Sequence, residues 1–287
     1  MRKLAGLQKG SAVCDKFAQI GTGGKFKTNL CRDLLVKLKA LGGVEPTMVR
    51  VPVKNRRTKK IVYRLWPIVA PHELLHCLLK QGVLHELLLG ADDDLIDFWE
   101  HFMREPDFGK LKQVFDRSVW GVLFPLRLHG DEGKFHNKGV MIFTLAGIRH
   151  HHDPFLTRLL LTVMPQTRYV YSWKKVPGFK IKQCKPKMRR MKINVTLAAI
   201  SDFIAQSLQC LVDGKFPQEP FNGTLMTDLG KRMRGQSLDL FGALLGVKGD
   251  WKFEKEFFQE PRGWSSKNIC TCCDASKTSE TPYQDNV

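Results

Sequence analysis

The chain has 287 residues, which is enough for one large or two modest domains with a substantial core. Its 43% hydrophobic and 26% charged residues are typical of a soluble globular protein. Its 46 Lys and Arg residues outnumber 28 Asp and Glu residues and leave a net charge of +18, which attracts polyanions. A basic soluble protein without a nucleic-acid ligand is the plainer alternative, because charge determines association and not fold.

The sequence predicts neither a secretion signal nor a membrane span. Its first residues, MRKLAGLQKGSAVC, lack a sustained apolar segment, and no later run approaches the roughly 18 apolar residues of a span. Eight cysteines are scattered along the chain, which indicates reduced thiols and one candidate metal site instead of a disulfide framework. We therefore expect an intracellular protein that does not bind membranes.

Residues 1–117 are predicted to form a mostly helical N-terminal region. Leucines recur with helical spacing over 29–41, and two glycines close that run. Two short β-rich runs follow, around a basic cluster that can be a nuclear import signal, a phosphate-facing hairpin tip or a solvated loop. The cluster consists of Lys54, Arg56, Arg57, Lys59 and Lys60.

The amphipathic segment that begins at Pro71 contains the pattern H-E-x-x-H, as His72, Glu73 and His76. In zinc metalloproteases the two histidines of this pattern bind the metal and the glutamate is the general base. Glu100 lies on a later helical run, from which a third ligand could come. A structural amphipathic helix is the alternative, and we favour it.

From residue 119 the hydrophobic period shortens to that of strands. Three β-rich runs with short turns predict an antiparallel meander over 119–165. Asp131 follows the first run within the turn-like sequence Gly130-Asp131-Glu132-Gly133. A carboxylate beside a core either caps a turn or binds a hard cation. The histidines at 150–152 lie in a later loop that is a solvated turn or a metal ligand set.

The segment 172–192 is strongly basic, with no acidic residue and with Trp173 and Phe179 interleaved. Cations contact phosphates and planar side chains stack on bases, so this composition predicts a nucleic-acid-binding track. A disordered basic loop is the alternative. The nine cations are Lys174, Lys175, Lys180, Lys182, Lys185, Lys187, Arg189, Arg190 and Lys192.

A long amphipathic helix is predicted over 193–216, ended by Gly214, and a fourth strand over 238–247 leads to Gly249-Asp250. Asp131 and Asp250 thus each follow a glycine at the end of an apolar strand. Two carboxylates so placed can share two Mg²⁺ ions, which activate the attacking oxygen and stabilise the leaving oxygen of a phosphodiester. The alternative is that each aspartate caps a helix N-terminus or stabilises a turn.

The order of three antiparallel strands with an acid after the first, a helix and a strand bearing G-D resembles the RNase H-like fold of DDE transposases. The segment GVKGDWKFEKEFFQEPRGWSSKNICTCC resembles the transposase pattern of G-D, a helix and Cys-x-x-Cys. Together with PLRLHGDEG and LVDGKFP, it is similar to mobile-element open reading frames of protists.

The resemblance implies an α/β (α+β) fold with a mixed sheet and flanking helices. It assigns Asp131 and Asp250 as the first two catalytic acids, binding Mg²⁺, but the third acid is not identifiable. The expected regions are 1–117, an incomplete RNase H-like core over 118–260, and a cysteine-containing tail over 261–287. Function is then DNA binding in the nucleus with ancestral phosphodiester cleavage and strand transfer, in a possible homo-oligomer. A non-catalytic nucleic-acid-binding module and the zinc protease are the alternatives.

Cys270 and Cys273 have the spacing of zinc ligands, and Cys272 could replace one of them. A tetrahedral site needs four ligands, and the sequence has no second Cys-x-x-Cys. The other two ligands would have to come from distant residues, such as Cys184 or a histidine, or from a partner chain. Reduced surface thiols are the alternative to Zn²⁺.

Overall fold

The structure is a computed structural model that describes residues 44–89, 94–105, 109–135, 138–148, 158–176, 189–221, 224–249, 253 and 257. The chain divides into two units, Met1–Pro46 and Thr47–Val287, and almost all described residues belong to the second. This second unit is mixed α/β, with helices and several β-sheets.

A three-stranded sheet opens the second unit. Strand β1, Thr47–Lys54, pairs antiparallel with β2, Ile61–Ile68, and on its other side with the short β8, Thr224–Leu225. Valines alternate along β1 and bury one face of it, as a half-buried strand requires. The predicted β-rich runs before residue 70 are therefore confirmed as a hairpin.

Within the described residues between β2 and residue 117, the chain forms four helices. Pro71 occupies the first turn of the first helix, where its missing N–H is not needed, and the Asp94 carboxylate caps the third helix by accepting from Ile96 N at 2.7 Å. The helices are α1, Pro71–Lys80; α2, Leu84–Leu89; α3, Leu95–Phe102; and α4, Gly109–Val114.

The largest described sheet has four strands in the order β5-β4-β3-β9. Its first three strands form an antiparallel meander, as predicted, and β9 joins the sheet parallel to β3. A 3₁₀ helix, Arg117–Val122, leads into β3. The strands are β3, Leu123–Phe135; β4, Lys138–Gly147; β5, Leu159–Pro165; and β9, Phe241–Gly249.

The turn expected at Gly130–Gly133 does not form. Strand β3 continues through these residues, and Gly130 and Gly133 lie opposite Phe143 and Val140 of β4. Ladder pairing with β4 and packing of Phe253 against Gly130 outweigh the weak strand propensity of glycine. Asp131 is consequently a strand residue.

The predicted long helix is α5, Val195–Asp213. The Asn194 side chain caps its N-terminus by accepting from Leu197 N at 3.2 Å, and Gly214 ends it with φ of 65°, as expected. Its length and its mean hydropathy of 1.5 would suffice for a membrane span, although no span was predicted from the sequence. Buried core helices commonly have the same length and hydropathy. Its buried face contacts β1, β9 and α1.

A separate two-stranded hairpin precedes α5. Strand β6, Tyr171–Val176, pairs antiparallel with β7, Arg189–Asn194. A 3₁₀ turn, Gln166–Arg168, connects β5 to this hairpin. The short helix α6, Asp228–Arg232, lies between β8 and β9.

The elements before residue 117 belong to the same unit as the large sheet. Described residues before 117 include two strands as well as four helices, and they bond directly to the large sheet. Val69 N donates to Leu161 O at 2.9 Å, and Trp99 Nε1 donates to Leu123 O at 2.7 Å. These elements therefore share one hydrophobic core with β3–β5.

Candidate functional site

The parallel ladder between β3 and β9 ends at one pair of glycines. Gly130 lies opposite Gly249, and Asp131 is the next residue of β3. Asp131 is exposed, as a carboxylate that contacts a metal or a polar substrate must be. Asp250 follows Gly249 in the sequence and lies outside the described residues.

An aromatic ring packs against both glycines. Phe253 is fully buried, and a Cβ atom added to Gly130 would lie 1.9 Å from its ring, whereas one added to Gly249 would lie 2.1 Å from it. Phe143, opposite Gly130 on β4, contacts the same ring edge-on with centroids 5.6 Å apart. The glycines thus leave room for a ring that holds the two strand ends together.

A polar cluster that includes Asp131 is centred on His129, on one face of the sheet. Side chains alternate along a strand, so Arg127, His129 and Asp131 project from the same face of β3. Lys248 of β9 lies opposite His129 in the parallel ladder. Burial lowers the pKa of His129, nearby Arg158 lowers it further, and the Asp131 carboxylate opposes both. Asp131 and three cations, Arg127, Arg158 and Lys248, therefore all lie near one imidazole, whose neutral form is favoured.

Magnesium prefers several oxygen ligands, and Asp131 alone does not make such a site. Among the described residues, no group of three or more His, Cys, Asp or Glu side chains could hold a metal ion. The predicted second acid, Asp250, lies outside the described part of the chain.

The flanks of the predicted nucleic-acid track form the β6–β7 hairpin. Backbone pairing places Lys174 opposite Met191 and Lys175 opposite Arg190, with Arg189 and Lys192 on the same two-stranded ladder. Trp173 at the hairpin is 65% exposed, an unusual position for such a large apolar ring. The remaining cations of the track, Lys180, Lys182, Lys185 and Lys187, lie outside the described residues.

The H-E-x-x-H residues are buried in the core, each against a different element. His72 Nδ1 lies 2.7 Å from Ser207 Oγ of α5, and His76 Nδ1 lies 3.1 Å from Leu238 O. Thr227 Oγ1 donates to Glu73 Oε1 at 2.6 Å and also caps α6. Phe216 packs edge-on against both histidine rings, with centroids 5.6 and 5.0 Å away.

This geometry suits packing better than metal binding. Burial, with a smaller contribution from His76, lowers the pKa of His72 to about 3, so its ring is neutral. The Glu73 carboxylate already accepts a hydrogen bond from Thr227. Glu100, considered above as a third ligand, forms an ion pair with Arg117 on the 3₁₀ helix before β3. The three motif residues tie α1 to α5, α6 and the segment before β9.

The predicted zinc ligands Cys270 and Cys273 lie outside the described residues, as do Cys184 and the histidines at 150–152. Cys77 and Cys210 are free thiols. Burial raises the pKa of Cys210 to about 11, so this thiol is protonated and unsuited to metal binding at neutral pH.

Sequence reasoning missed the cations beside Asp131, because it placed Asp131 in a turn. The alternation Arg127-x-His129-x-Asp131 was the available signal, since such spacing puts all three side chains on one strand face. Comparisons of the chain with protein-family models, curated proteins and solved structures found no match.

Proposed function

We propose that the chain is a DNA-binding, transposase-like protein whose ancestral reaction is metal-dependent phosphodiester cleavage and strand transfer. The observation that carries the proposal is the pairing of Gly130 with Gly249. Each glycine directly precedes one of the two predicted catalytic acids, Asp131 and Asp250.

The order of elements supports an RNase H-like sheet. An antiparallel meander is followed by the helix α5, and then by a strand parallel to the first strand of the meander. The resemblance to DDE transposases rests on this same order, with acids on the first and fourth strands. The sheet order β5-β4-β3-β9 places those two strands next to each other.

The proposed chemistry uses the charge arrangement around Asp131. Mg²⁺ held by Asp131 and Asp250 would activate the attacking oxygen and stabilise the leaving oxygen of a phosphodiester. Arg127, Lys248 and Arg158 supply positive charge near His129, which shares a strand face with Asp131, and a scissile phosphate would carry negative charge there. These cations bind and orient the phosphate, whereas the carboxylates locate the metal.

The basic hairpin supports nucleic acid as the ligand. Five cations of β6 and β7 lie on one ladder with the exposed Trp173, and this combination suits phosphate contacts together with base stacking. The net charge of +18 favours association with DNA at low salt. Location in the nucleus, a homo-oligomeric state and Zn²⁺ at Cys270 and Cys273 belong to the same proposal.

A non-catalytic nucleic-acid-binding module is the second candidate. It is favoured by the lack of an identifiable third acid in the sequence and of a metal-binding group among the described residues. Such a module keeps the basic hairpin but cleaves nothing. The zinc protease has less support, because His72, Glu73 and His76 are buried and contact three other elements.

Nicking of supercoiled plasmid in Mg²⁺ or Mn²⁺ separates the candidates. The catalytic proposal expects nicking that falls at least about 100-fold in Asp131→Asn and in Asp250→Asn. Asp202→Asn, on the exposed side of α5, is the matched control and should nick normally. Salt-dependent DNA binding without nicking in either metal would favour the non-catalytic module. Peptide hydrolysis that disappears in Glu73→Gln would instead support the protease.

A further inference from the structure

We infer that a cationic pocket at the tip of the β1–β2 hairpin binds a backbone phosphate of nucleic acid. The cavity has a volume of about 260 Å³. Its described lining residues are four cations and two uncharged polar residues from three separate segments: Lys54, Asn55, Arg56, Lys59, Lys138 and Thr167. This inference rests on the proposed nucleic-acid function and assigns a contact that lies outside the basic hairpin.

The pocket is positively charged, and none of its described lining residues is acidic. Among the described residues, no carboxylate forms an ion pair with Lys54, Arg56, Lys59 or Lys138. Cations brought together without an acid repel one another, so a bound anion stabilises the arrangement. Asn55 and Thr167 add uncharged polar groups that can bond phosphate oxygens.

Backbone and side-chain hydrogen bonds hold the hairpin tip in place. Asn55 N donates to Lys60 O at 2.8 Å, and Lys59 N donates to Asn55 O at 3.0 Å. Asn55 Oδ1 accepts from Arg57 N at 2.9 Å. Lys59 has φ of 58°, a left-handed conformation that is costly for a residue with a Cβ atom. The turn thereby fixes the backbone position of a lysine that lines the pocket.

The pocket is within reach of a strand bound at Asp131. Lys138 lies opposite Phe135 on the β3–β4 ladder, four residues along β3 from Asp131. A strand rises about 3.3 Å per residue, so the two positions are about 13 Å apart. One DNA strand advances about 3.4 Å per nucleotide, and this separation corresponds to about four nucleotides. A backbone phosphate near the cleavage position can therefore reach the pocket.

The ligand is an oxyanion, and its two sources are a phosphodiester within a strand and a free phosphate. A phosphodiester is the better fit, because the pocket is open to solvent on exposed residues and a passing strand can enter it. Arg56 and the lysines supply donors that match phosphate oxygens. Free phosphate remains a distinct outcome of the experiment.

The same turn offers a matched control. Arg56→Gln with Lys138→Gln removes two pocket cations from two different segments. Arg57→Gln with Lys60→Gln removes the same charge from the same turn, outside the pocket lining. Binding of each double variant to labelled duplex and single-stranded DNA is measured by anisotropy in EDTA over a salt series, so that cleavage does not contribute. Melting temperatures verify that both double variants fold.

We expect the pocket variant to bind DNA at least about 10-fold more weakly and to lose about one unit of salt slope, whereas the control changes less than about 3-fold. If both double variants lose DNA affinity equally, or if neither loses any, the proposed phosphate contact at the pocket is wrong. Pyrophosphate could raise the melting temperature of the wild type and not of the pocket variant while both bind DNA equally well. This result would assign a free phosphate as the ligand and contradict the contact with a nucleic-acid backbone. If the pocket variant alone binds DNA more weakly and the wild type never nicks plasmid, the phosphate contact at the pocket is supported and the catalytic proposal is contradicted.

Discussion

Gly130 and Gly249 face each other across the parallel pair β3–β9, and the buried ring of Phe253 lies against both. We expect Gly130→Ala to lower the free energy of unfolding by about 1–3 kcal/mol, because the new Cβ atom would overlap the ring and force the strands or the ring to shift. Urea denaturation measures the change.

Gly246→Ala is the control for this substitution. Gly246 lies on β9 in the same sheet, and a Cβ atom added there meets nothing within 4 Å. We expect its stability to stay within about 1 kcal/mol of the wild type, and even to rise, since alanine restricts the unfolded chain. Equal destabilisation by both substitutions would show that strand glycines, and not contact with Phe253, determine the cost.

A second glycine pair separates backbone strain from steric overlap. Gly214 and Gly82 both have positive φ, of 65° and 74°. A Cβ atom on Gly214 would lie 2.5 Å from the Phe241 ring, whereas one on Gly82 meets nothing within 4 Å. We expect Gly82→Ala to cost about 1 kcal/mol and Gly214→Ala at least about 1 kcal/mol more. Thermal unfolding compares them, and equal costs would contradict the overlap at Phe241.

The buried His72 makes stability depend on pH. Its pKa is lowered from 6.5 to about 3 by burial, so the folded state keeps the neutral ring while the unfolded state binds a proton below pH 6.5. Its contribution is therefore complete above that pH and is lost as pH falls towards 3. The slope approaches about 1.4 kcal/mol per pH unit in this window.

Denaturation at several pH values between about 4 and 7 tests this dependence. His72→Asn should flatten the loss of stability on acidification, whatever its own cost at neutral pH. His101→Asn, an exposed residue at the end of α3, should leave the slope of the wild type unchanged. If the slope of His72→Asn equals that of the wild type, His72 titrates alike in both states and the packing interpretation of the motif is wrong.

Trp173 is expected to stack on a base. The side chain is 65% exposed, so Trp173→Ala should leave the melting temperature nearly unchanged. Loss of one stacked base should weaken binding to single-stranded DNA by about 1–3 kcal/mol. Leu225→Ala, which truncates a 63% exposed residue on β8, is the control and should bind normally. Unchanged affinity in Trp173→Ala would remove this ring from the interface.

Periodicity predicted the elements whose burial is strongly one-sided. The face of α5 that carries Leu197, Ile200 and Phe203 and its end at Gly214 follow from helical spacing and glycine chemistry. The meander of β3–β5 follows from three β-rich runs in succession. Local sequence patterns are sufficient to predict a helix or strand when its apolar residues alone define which of its faces is buried.

Features that depend on contacts between distant residues were not predictable in the same way. Glycines at Gly130 and Gly133 indicate a turn locally, and β3 continues there because of β4 and Phe253. The H-E-x-x-H pattern of His72 and His76 is shared by zinc sites and by this core, and partners far along the chain decide between them. The cations beside Asp131 became apparent once its strand was known.

Thr196 is a buried hydroxyl at the start of α5 with two hydrogen-bond partners. Its Oγ1 accepts from Val170 N, next to β6, at 2.9 Å and donates to Pro52 O of β1 at 2.7 Å. One hydroxyl thereby fastens the base of the basic hairpin to the strand that ends at Lys54 of the cationic pocket. Loss of this hydroxyl would therefore leave both Val170 N and Pro52 O without their partner, at the start of the hairpin and on β1.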